Sequence, residues 1–206
     1  MDNALSEAIF KGEYDWALHV GTLAVVWGLP IVECWADRLK KLRPPAQAVP
    51  DPGLINRFRH VRALSRPGAS EFVNAATDFL YSTAVVDLRD GPLRLAVGDA
   101  GARWYGLQIL DAHMETLANV GTRTFGPRPP TTLLIHRDAS GPADVAADEA
   151  TGEDAEHVVR SECPFLYIVG RISAAEGADL AGAHRLQDSL ELGVAGARRA
   201  LSPPDA

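Results

Sequence analysis

The segment 103–126, RWYGLQILDAHMETLANVGTRTFG, constrains the fold most, because a strongly β-forming run carries polar side chains near its centre. With the two-residue period of a strand, Gln108 and Asp111 fall on opposite faces of this run. Each needs a hydrogen-bond partner if it is buried. The run then ends in a Gly-Thr-Arg-Thr turn at 121–124. This combination predicts a polar pocket within a β framework.

The length of 206 residues fits a single domain, 1–206, with one core. Within it the sequence predicts a helical N-terminal segment and a β-rich core, followed by a C-terminal helix. Their bounds are 1–45, 54–172 and 177–192, and an acidic, small-residue-rich segment at 137–156 is expected to form a mobile loop.

The formal net charge of −7 and the lack of a basic run beyond 38–43 disfavour nucleic-acid binding. An acidic N-terminus is unlike a secretory leader, so the sequence predicts a cytoplasmic protein. Cys34 and Cys163 are then expected as two reduced, buried thiols rather than a disulfide.

One segment, 16–35, approaches the length of a membrane span. It contains Pro30 and Glu33, and acidic residues flank its N-terminal side. These features favour a buried helix pair, or one buried helix kinked at Pro30, and we expect no membrane contact.

The middle of the chain is rich in short strands separated by Gly and Asp turns, which predicts antiparallel meanders. For 54–64 the apolar spacing suits a short helix or an irregular segment, and 179–192 predicts a helix with one apolar stripe. The fold class is therefore α+β, mainly β, with an antiparallel core. The predicted strands are 80–88, 93–97, 103–112, 131–136 and 165–172.

The order of these segments resembles the bacterial domain-of-unknown-function family 1254 over roughly residues 20–192. The resemblance rests on an Asp-x-x-Tyr-Ser start, a Gln-x-x-Asp strand and the Gly-Thr-Arg-Thr turn, in that order. It implies a β-sandwich or jelly-roll-like core with N-terminal helices. Members of the family are usually longer, often carry a second related domain, and are often described as secreted, while their activity is not settled. The matching positions are Asp78, Tyr81, Tyr105, Gln108, Asp111, Gly121, Thr122, Arg123 and Thr124.

The sequence departs from the family around the expected pocket. Residues 75–77 replace a Pro-Asn pair, 113–115 replace an aromatic residue and Thr-Asn, and the acidic loop replaces a tryptophan-rich segment. The ligand therefore need not be shared with the family.

Three residues are candidates for acid–base catalysis. Asp78 and Tyr81 lie one strand step or one turn apart, and near Asp111 they could form a proton-transfer group, since apposed carboxylates separate their pKa values. Alternatively, Asp78 caps a turn and the Tyr81 hydroxyl bonds to the backbone.

Arg123 is a candidate for clamping a carboxylate or phosphate. The alternative is an internal salt bridge to Asp111 or Asp78 that braces the sheet. The other expected ligand-binding residues are Trp104, Tyr105, Gln108, His113 and Thr122.

Asp111, His113 and Glu115 share one face if the strand continues, which suits a divalent metal, but no second histidine pair completes a site. The same three residues could simply enter solvent, and we predict no metal. Phosphate-binding, dinucleotide and nucleophile-elbow motifs do not occur, so we also expect no cofactor.

These observations predict a protein that binds a small organic molecule, and one that could act as a cofactor-independent acid–base enzyme for hydrolysis, isomerisation or cyclisation. The alternative is a non-catalytic structural or interaction module whose polar residues brace the sheet and whose N-terminal helix offers an apolar face. A half-length member could also pair with a second copy, so a homo-oligomer is one expected partner.

Overall fold

The structure, a computed structural model, describes residues 2–43, 51–66, 68, 76–137 and 157–195, with side chains described from Phe10 onward. Residues 138–156 of the expected mobile loop at 137–156 and the C-terminal tail lie outside these residues. The helices are α1 (Asp2–Lys41), α2 (Thr122–Phe125) and α3 (Asp179–Asp188), with a single 3-10 turn at Pro52–Leu54. The strands are β1 (Arg59–His60), β2 (Phe79–Asp87), β3 (Leu93–Ala96), β4 (Tyr105–Leu110), β5 (Thr116–Gly121), β6 (Thr132–His136), β7 (His157–Ser161), β8 (Phe165–Ser173) and β9 (Glu191–Val194).

The strands form two sheets, so the fold is α+β and mainly β, as predicted. The five-stranded sheet has the order β1-β2-β8-β4-β5 and the four-stranded sheet the order β7-β6-β3-β9. All pairs are antiparallel except β6 and β7, which are parallel.

One apolar core is shared by the two sheets and α3. In β2, β8 and β4, alternate side chains point into it, as the two-residue period requires. Leu80, Leu107 and Ile168 of the five-stranded sheet and Leu95 and Leu134 of the four-stranded sheet belong to the same buried cluster.

The predicted antiparallel pairing is confirmed, and consecutive β4 and β5 pair with each other, but β2, β3 and β4 do not form a meander. β2, β3 and β4 are closely spaced in sequence, but the chain crosses from one sheet to the other between each of them. Both β2 and β4 pair instead with β8, a strand of nine residues that lies between them.

The five predicted strands are confirmed, but the helix predicted for 179–192 ends early. α3 stops at Asp188, and at its C-cap the Ser189 hydroxyl donates to the carbonyl of Leu186, 2.8 Å away. The chain then pairs with β3 as β9. The predicted stripe includes Gln187, which is fully buried and donates to the carbonyls of Val61 and Tyr81 at 3.1 Å.

α1 is a single helix of 40 residues, so the expectation of a helix pair is wrong; Pro30 lies within it. The expected burial of 16–35 is also wrong, because every side chain from Phe10 to Trp27 is exposed. From residue 28 onward, half-buried or buried positions recur every three or four residues, so one side of this part of α1 faces the sheet. Phe10–Lys41 is long and apolar enough to cross a membrane by length and composition.

The C-terminal end of α1 is held against the outer face of the five-stranded sheet by Arg38, which is only 2% exposed. Its guanidinium donates to the carbonyl of Asp111 at 2.8 Å. The same group lies 5.6 Å from the ring centre of Trp35 and 5.4 Å from that of Tyr167. Two aromatic faces and a carbonyl therefore stabilise this buried cation in place of a carboxylate.

β8 can lie between β2 and β4 because residue 170 has no side chain. A Cβ at Gly170 would lie 2.8 Å from a methyl carbon of Leu107 and 3.0 Å from the carbonyl oxygen of Ser82. We expect Gly170→Ala to lower the free energy of unfolding by about 1–3 kcal/mol, measured by urea denaturation. Gly193→Ala in β9, where nothing lies within 4 Å of the added carbon, is the control. Equal stability of the two variants would contradict this account.

α3 is tied to the start of β4 by a pair between Arg103 and Asp179, whose carboxylate also accepts from the backbone N–H of Ala175 at 2.8 Å. The hydrogen bonds from Arg103, first, and Ala175 lower the pKa of Asp179 to about 2.

Because the folded pKa of Asp179 lies below its unfolded value, its contribution to stability is complete above about pH 4 and is lost as the pH falls towards 2. The stability difference between the wild type and Asp179→Asn should therefore shrink between pH 5 and pH 2.5 in urea titrations. Glu191→Gln, an exposed carboxylate of β9, serves as the control. A stability difference between the wild type and Asp179→Asn that stays constant with pH would contradict the lowered pKa of Asp179.

Candidate functional site

The outer face of the five-stranded sheet, opposite to the core, is divided into two parts. At one end Val85, Leu110 and Tyr167 are covered by the C-terminal end of α1. Towards the other end, Tyr81 pairs with Arg171, Arg171 with Gly106, and Gly106 with Gly121, which gives one row across four strands. α1 leaves this polar part of the face open.

Two glycines, Gly106 of β4 and Gly121 of β5, are paired in this open part of the face. A Cβ at Gly121 would lie 2.5 Å from the carbonyl oxygen of Tyr105 and 2.8 Å from the Cα of Gly106, so the two backbones approach too closely for a side chain there. At Gly106 the added carbon would lie 3.4 Å from the outer edge of the Trp104 indole. The indole therefore lies over β4, and neither glycine adds a side chain beside it.

Arg171 stands beside Gly106 on the central strand. Its guanidinium lies 5.9 Å from the ring centre of Tyr81 and contacts the side-chain oxygen of Gln108 at 3.5 Å. Gln108 in turn donates to the hydroxyl of Thr116 at 2.8 Å. Within the described part of the chain, Arg171 has no carboxylate partner.

Arg123 is presented from the opposite side by the Gly-Thr-Arg-Thr segment, which forms the single helical turn α2. The hydroxyl of Thr122 accepts from the backbone N–H of Tyr105 at 3.1 Å. The hydroxyl of Thr124 accepts from the N–H of Gly121 at 3.0 Å and donates to its carbonyl. Both threonines are used by the fold, and the arginine between them is left exposed.

These groups enclose a cleft of about 440 Å³, which we call the arginine cleft. Its floor is Gly106 and Gly121, and its other lining side chains include Trp104, Gln108, Asn119, Arg123, Thr124 and Arg171. This volume lies in the range that suits small-molecule ligands. The described lining contains two guanidinium groups and no Asp or Glu, and Arg123 makes no ion pair with any residue placed in the structure.

A second, more open cavity of about 520 Å³ shares Trp104 with the arginine cleft. Phe79, whose ring centre lies 5.1 Å from that of Trp104, and Asp78 also line it. The indole thus borders both cavities.

The structure does not bring the three predicted catalytic residues together. Asp111 lies in the turn between β4 and β5, where its carboxylate accepts from the backbone N–H groups of His113 and Glu115 at 2.8 and 2.9 Å. Asp78 lines the second cavity. The hydroxyl of Tyr81 accepts from the backbone N–H of Ala76 at 3.1 Å, which is the backbone alternative for this residue.

Four of the six predicted ligand-binding residues border the arginine cleft, namely Trp104, Tyr105, Gln108 and Arg123. The ring of Tyr105 is fully buried in the core, and burial raises the pKa of its phenol to about 12, so the phenol is not available to a ligand. Thr122 positions the turn instead of lining the cleft.

His113 lies away from the cleft, with its ring centre 5.6 Å from that of Trp27 in α1. Neither Asp111 nor Asp78 forms the internal salt bridge to Arg123 that was the alternative for that residue. Among the described residues, no three His, Cys, Asp or Glu side chains are grouped to hold a metal, and Cys34 and Cys163 are free and half-buried.

Arg171 and Asn119 are cleft residues that the sequence analysis did not identify. The signal for Arg171 was present, because it shares the period-2 face of β8 with Val169 and Tyr167, opposite to the apolar Ile168 and Ile172. Asn119 could be placed only after β5 was known to pair with β4, where it lies opposite Gln108.

Comparison with known proteins bears on the fold. The model of the family DUF1254, described as a protein of unknown function, matches residues 55–193. Among solved structures, the VPA0106 protein from Vibrio parahaemolyticus, a structural-genomics target, aligns with a TM-score of 0.61 at 19% sequence identity. The alignment covers 88% of this chain and 42% of that one, so the chain spans less than half the length of that protein. No curated protein sequence matches.

Proposed function

This chain belongs to the DUF1254 family, whose matched region contains every residue of the arginine cleft, and we propose that it is a small-molecule-binding protein that takes an organic anion in this cleft. The observation that carries the proposal is the presence of two guanidinium groups, Arg123 and Arg171, facing one cleft without a carboxylate in its lining. Such groups are well suited to bind a carboxylate through paired, charge-assisted hydrogen bonds.

The local charge of the cleft supports the same proposal. The chain is acidic overall, with a formal charge of −7, so an anion would be attracted by the two guanidiniums of the described lining and not by the net charge. Partial enclosure by the indole and the strands strengthens this attraction, because the effective dielectric constant falls.

The cleft supports binding better than acid–base catalysis. A general acid or base must lie within hydrogen-bond reach of the reacting group. The candidate carboxylates, Asp78 and Asp111, line the second cavity and cap a distant turn. An enzymatic function would therefore need a proton-transfer group other than these two at the cleft.

For the architecture, we propose that the two sheets form a β-sandwich. The support is the single core that contains inward-facing residues of both sheets, since packed sheets bury their facing side chains against one another. This arrangement would leave the outer face of the five-stranded sheet free to carry the cleft.

The test of the binding function is a calorimetric titration with acetate, succinate and benzoate at constant ionic strength. We expect at least one of them to bind, and Arg123→Gln to weaken the strongest binder about tenfold or more, because one charge-assisted interaction contributes about 1.5–3 kcal/mol.

Arg128→Gln is the matched control. Arg128 lies three residues beyond α2, is exposed and pairs with Asp99 instead of facing the cleft. It should bind like the wild type. If none of the three anions binds, or if both variants lose affinity equally, the proposed function fails.

The exposure of α1 favours a second function, insertion of its exposed segment into a lipid bilayer. The sequence predicts no membrane contact and a cytoplasmic location, and α1 gives a specific reason for the alternative. Leu18, Leu23, Val25 and Val26 are each more than half exposed and lie on several sides of the helix. A partner helix would cover one stripe, whereas lipid covers all sides.

The polar groups of this segment are also compatible with lipid. Thr22 donates its hydroxyl to the carbonyl of Leu18 at 2.8 Å, and the His19 ring bonds to the carbonyl of Asp15. Hydrogen bonds made within the helix reduce the cost of moving such groups out of water. Trp16 and Trp27 are exposed aromatic residues of the kind that favour a membrane interface.

Flotation with phosphatidylcholine vesicles tests this second function. The wild type should float with the vesicles, and the double variant Leu23→Lys/Val26→Lys should remain in the soluble fraction. Arg66→Gln, far from α1, is the control. Wild-type protein that stays soluble but forms dimers by light scattering would refute bilayer insertion and support self-association of α1.

A further inference from the structure

We propose that the anion bound in the arginine cleft is a planar aromatic carboxylate, and that Trp104 selects its ring. This inference rests on the proposed binding function and adds the chemical class of the ligand. It depends on the shape of the floor, on the position of the indole and on the arrangement of the polar groups.

The floor of the cleft includes a stretch of backbone without side chains. Gly106 and Gly121 lie opposite each other on neighbouring strands and contribute no side chains. A flat ring can approach peptide planes at van der Waals distance, whereas a puckered ring of the same size makes fewer contacts with them. The close backbone approach at Gly121, 2.5 Å from a possible Cβ to the Tyr105 carbonyl, keeps this floor free of side chains.

The indole of Trp104 supplies an aromatic wall at the edge of that floor. Its outer carbons lie 3.4 and 3.7 Å from the position that a Cβ would take at Gly106. The ring of Phe79, 5.1 Å away between centres and tilted by 51°, holds the indole from its other side. Aromatic rings interact favourably in offset or edge-to-face geometry beyond the area that they bury.

The polar groups stand beside this apolar part and not above it. Arg171 shares a cross-strand row with Gly106 and Gly121, and Gln108 holds its guanidinium by the contact of 3.5 Å. Arg123 lies in the turn that begins directly after Gly121. A ligand with its ring on the glycine floor would therefore direct an in-plane carboxylate at the guanidiniums. Benzoate has this geometry, since its carboxylate is conjugated with the ring.

The experiment compares benzoate with cyclohexanecarboxylate and benzamide by calorimetric titration of the full chain. The two acids have the same charge and nearly the same size, but only benzoate is planar and aromatic. We expect benzoate to bind about two- to tenfold more tightly than cyclohexanecarboxylate, the range given by aromatic pair energies. Benzamide, which lacks the charge, should bind more weakly than both acids.

Variants at Trp104 locate the origin of the preference. Trp104→Leu should bind the two acids equally, and Trp104→Phe should retain part of the preference for benzoate. Trp16→Leu is the matched control, because Trp16 lies in the exposed part of α1. Thermal unfolding of each variant establishes that it is folded. If a variant does not fold, the comparison of the two acids with the wild-type protein still decides the inference.

The outcomes separate this inference from the binding function. Equal affinity of the wild type for the two acids, or a preference that survives in Trp104→Leu, overturns the aromatic ligand and leaves anion binding in place. If neither acid binds, the aromatic ligand is overturned, and the binding function fails as well when acetate and succinate also do not bind. Tighter binding of benzamide than of benzoate would overturn both, because the guanidiniums would then not recognise charge.

Discussion

The arrangement of the molecule depends on the pairing of β8 along both of its edges. Nine residues of β8 pair with β2, and six of them also pair with β4, so one strand joins the two halves of the five-stranded sheet. Its alternate side chains then supply both faces. Ile168 and Ile172 fill the core, whereas Tyr167 receives α1 and Arg171 borders the cleft. A shift of one residue in this register would exchange the two sets.

The outer face of the same sheet serves two purposes at its two ends. Arg38 anchors α1 over Tyr167 and the turn at Asp111, while the cleft lies over Gly106 and Gly121. Both ends meet on β4. The polar residues Gln108 and Asp111 of one short run are thus explained separately: the first borders the cleft, and the second caps the turn that receives Arg38.

Sequence periodicity was sufficient to predict five of the nine described strands and part of the cleft. Gln108 and Arg123 could be recognised because a polar side chain in an apolar strand, and a cation between two threonines, each conflict with simple burial. The sheet order could not be predicted, because it depends on which edge of β8 each strand reaches and not on local pattern. Asn119 was missed for that reason, whereas the local pattern of β8 already places Arg171 on the face opposite to the core. Asp78 and Asp111 were placed together by their residue type, but strand direction puts them in different places.

The glycine floor restricts how a cleft of this kind can change over evolution. Gly121 is required by the close passage of two backbones, so a mutation there harms folding before it alters recognition. Trp104, Asn119 and Arg123 stand at the rim, and their side chains carry few of the contacts that hold the sheet. New specificities can therefore arise by exchange of rim residues while the glycine backbone beneath them stays unchanged.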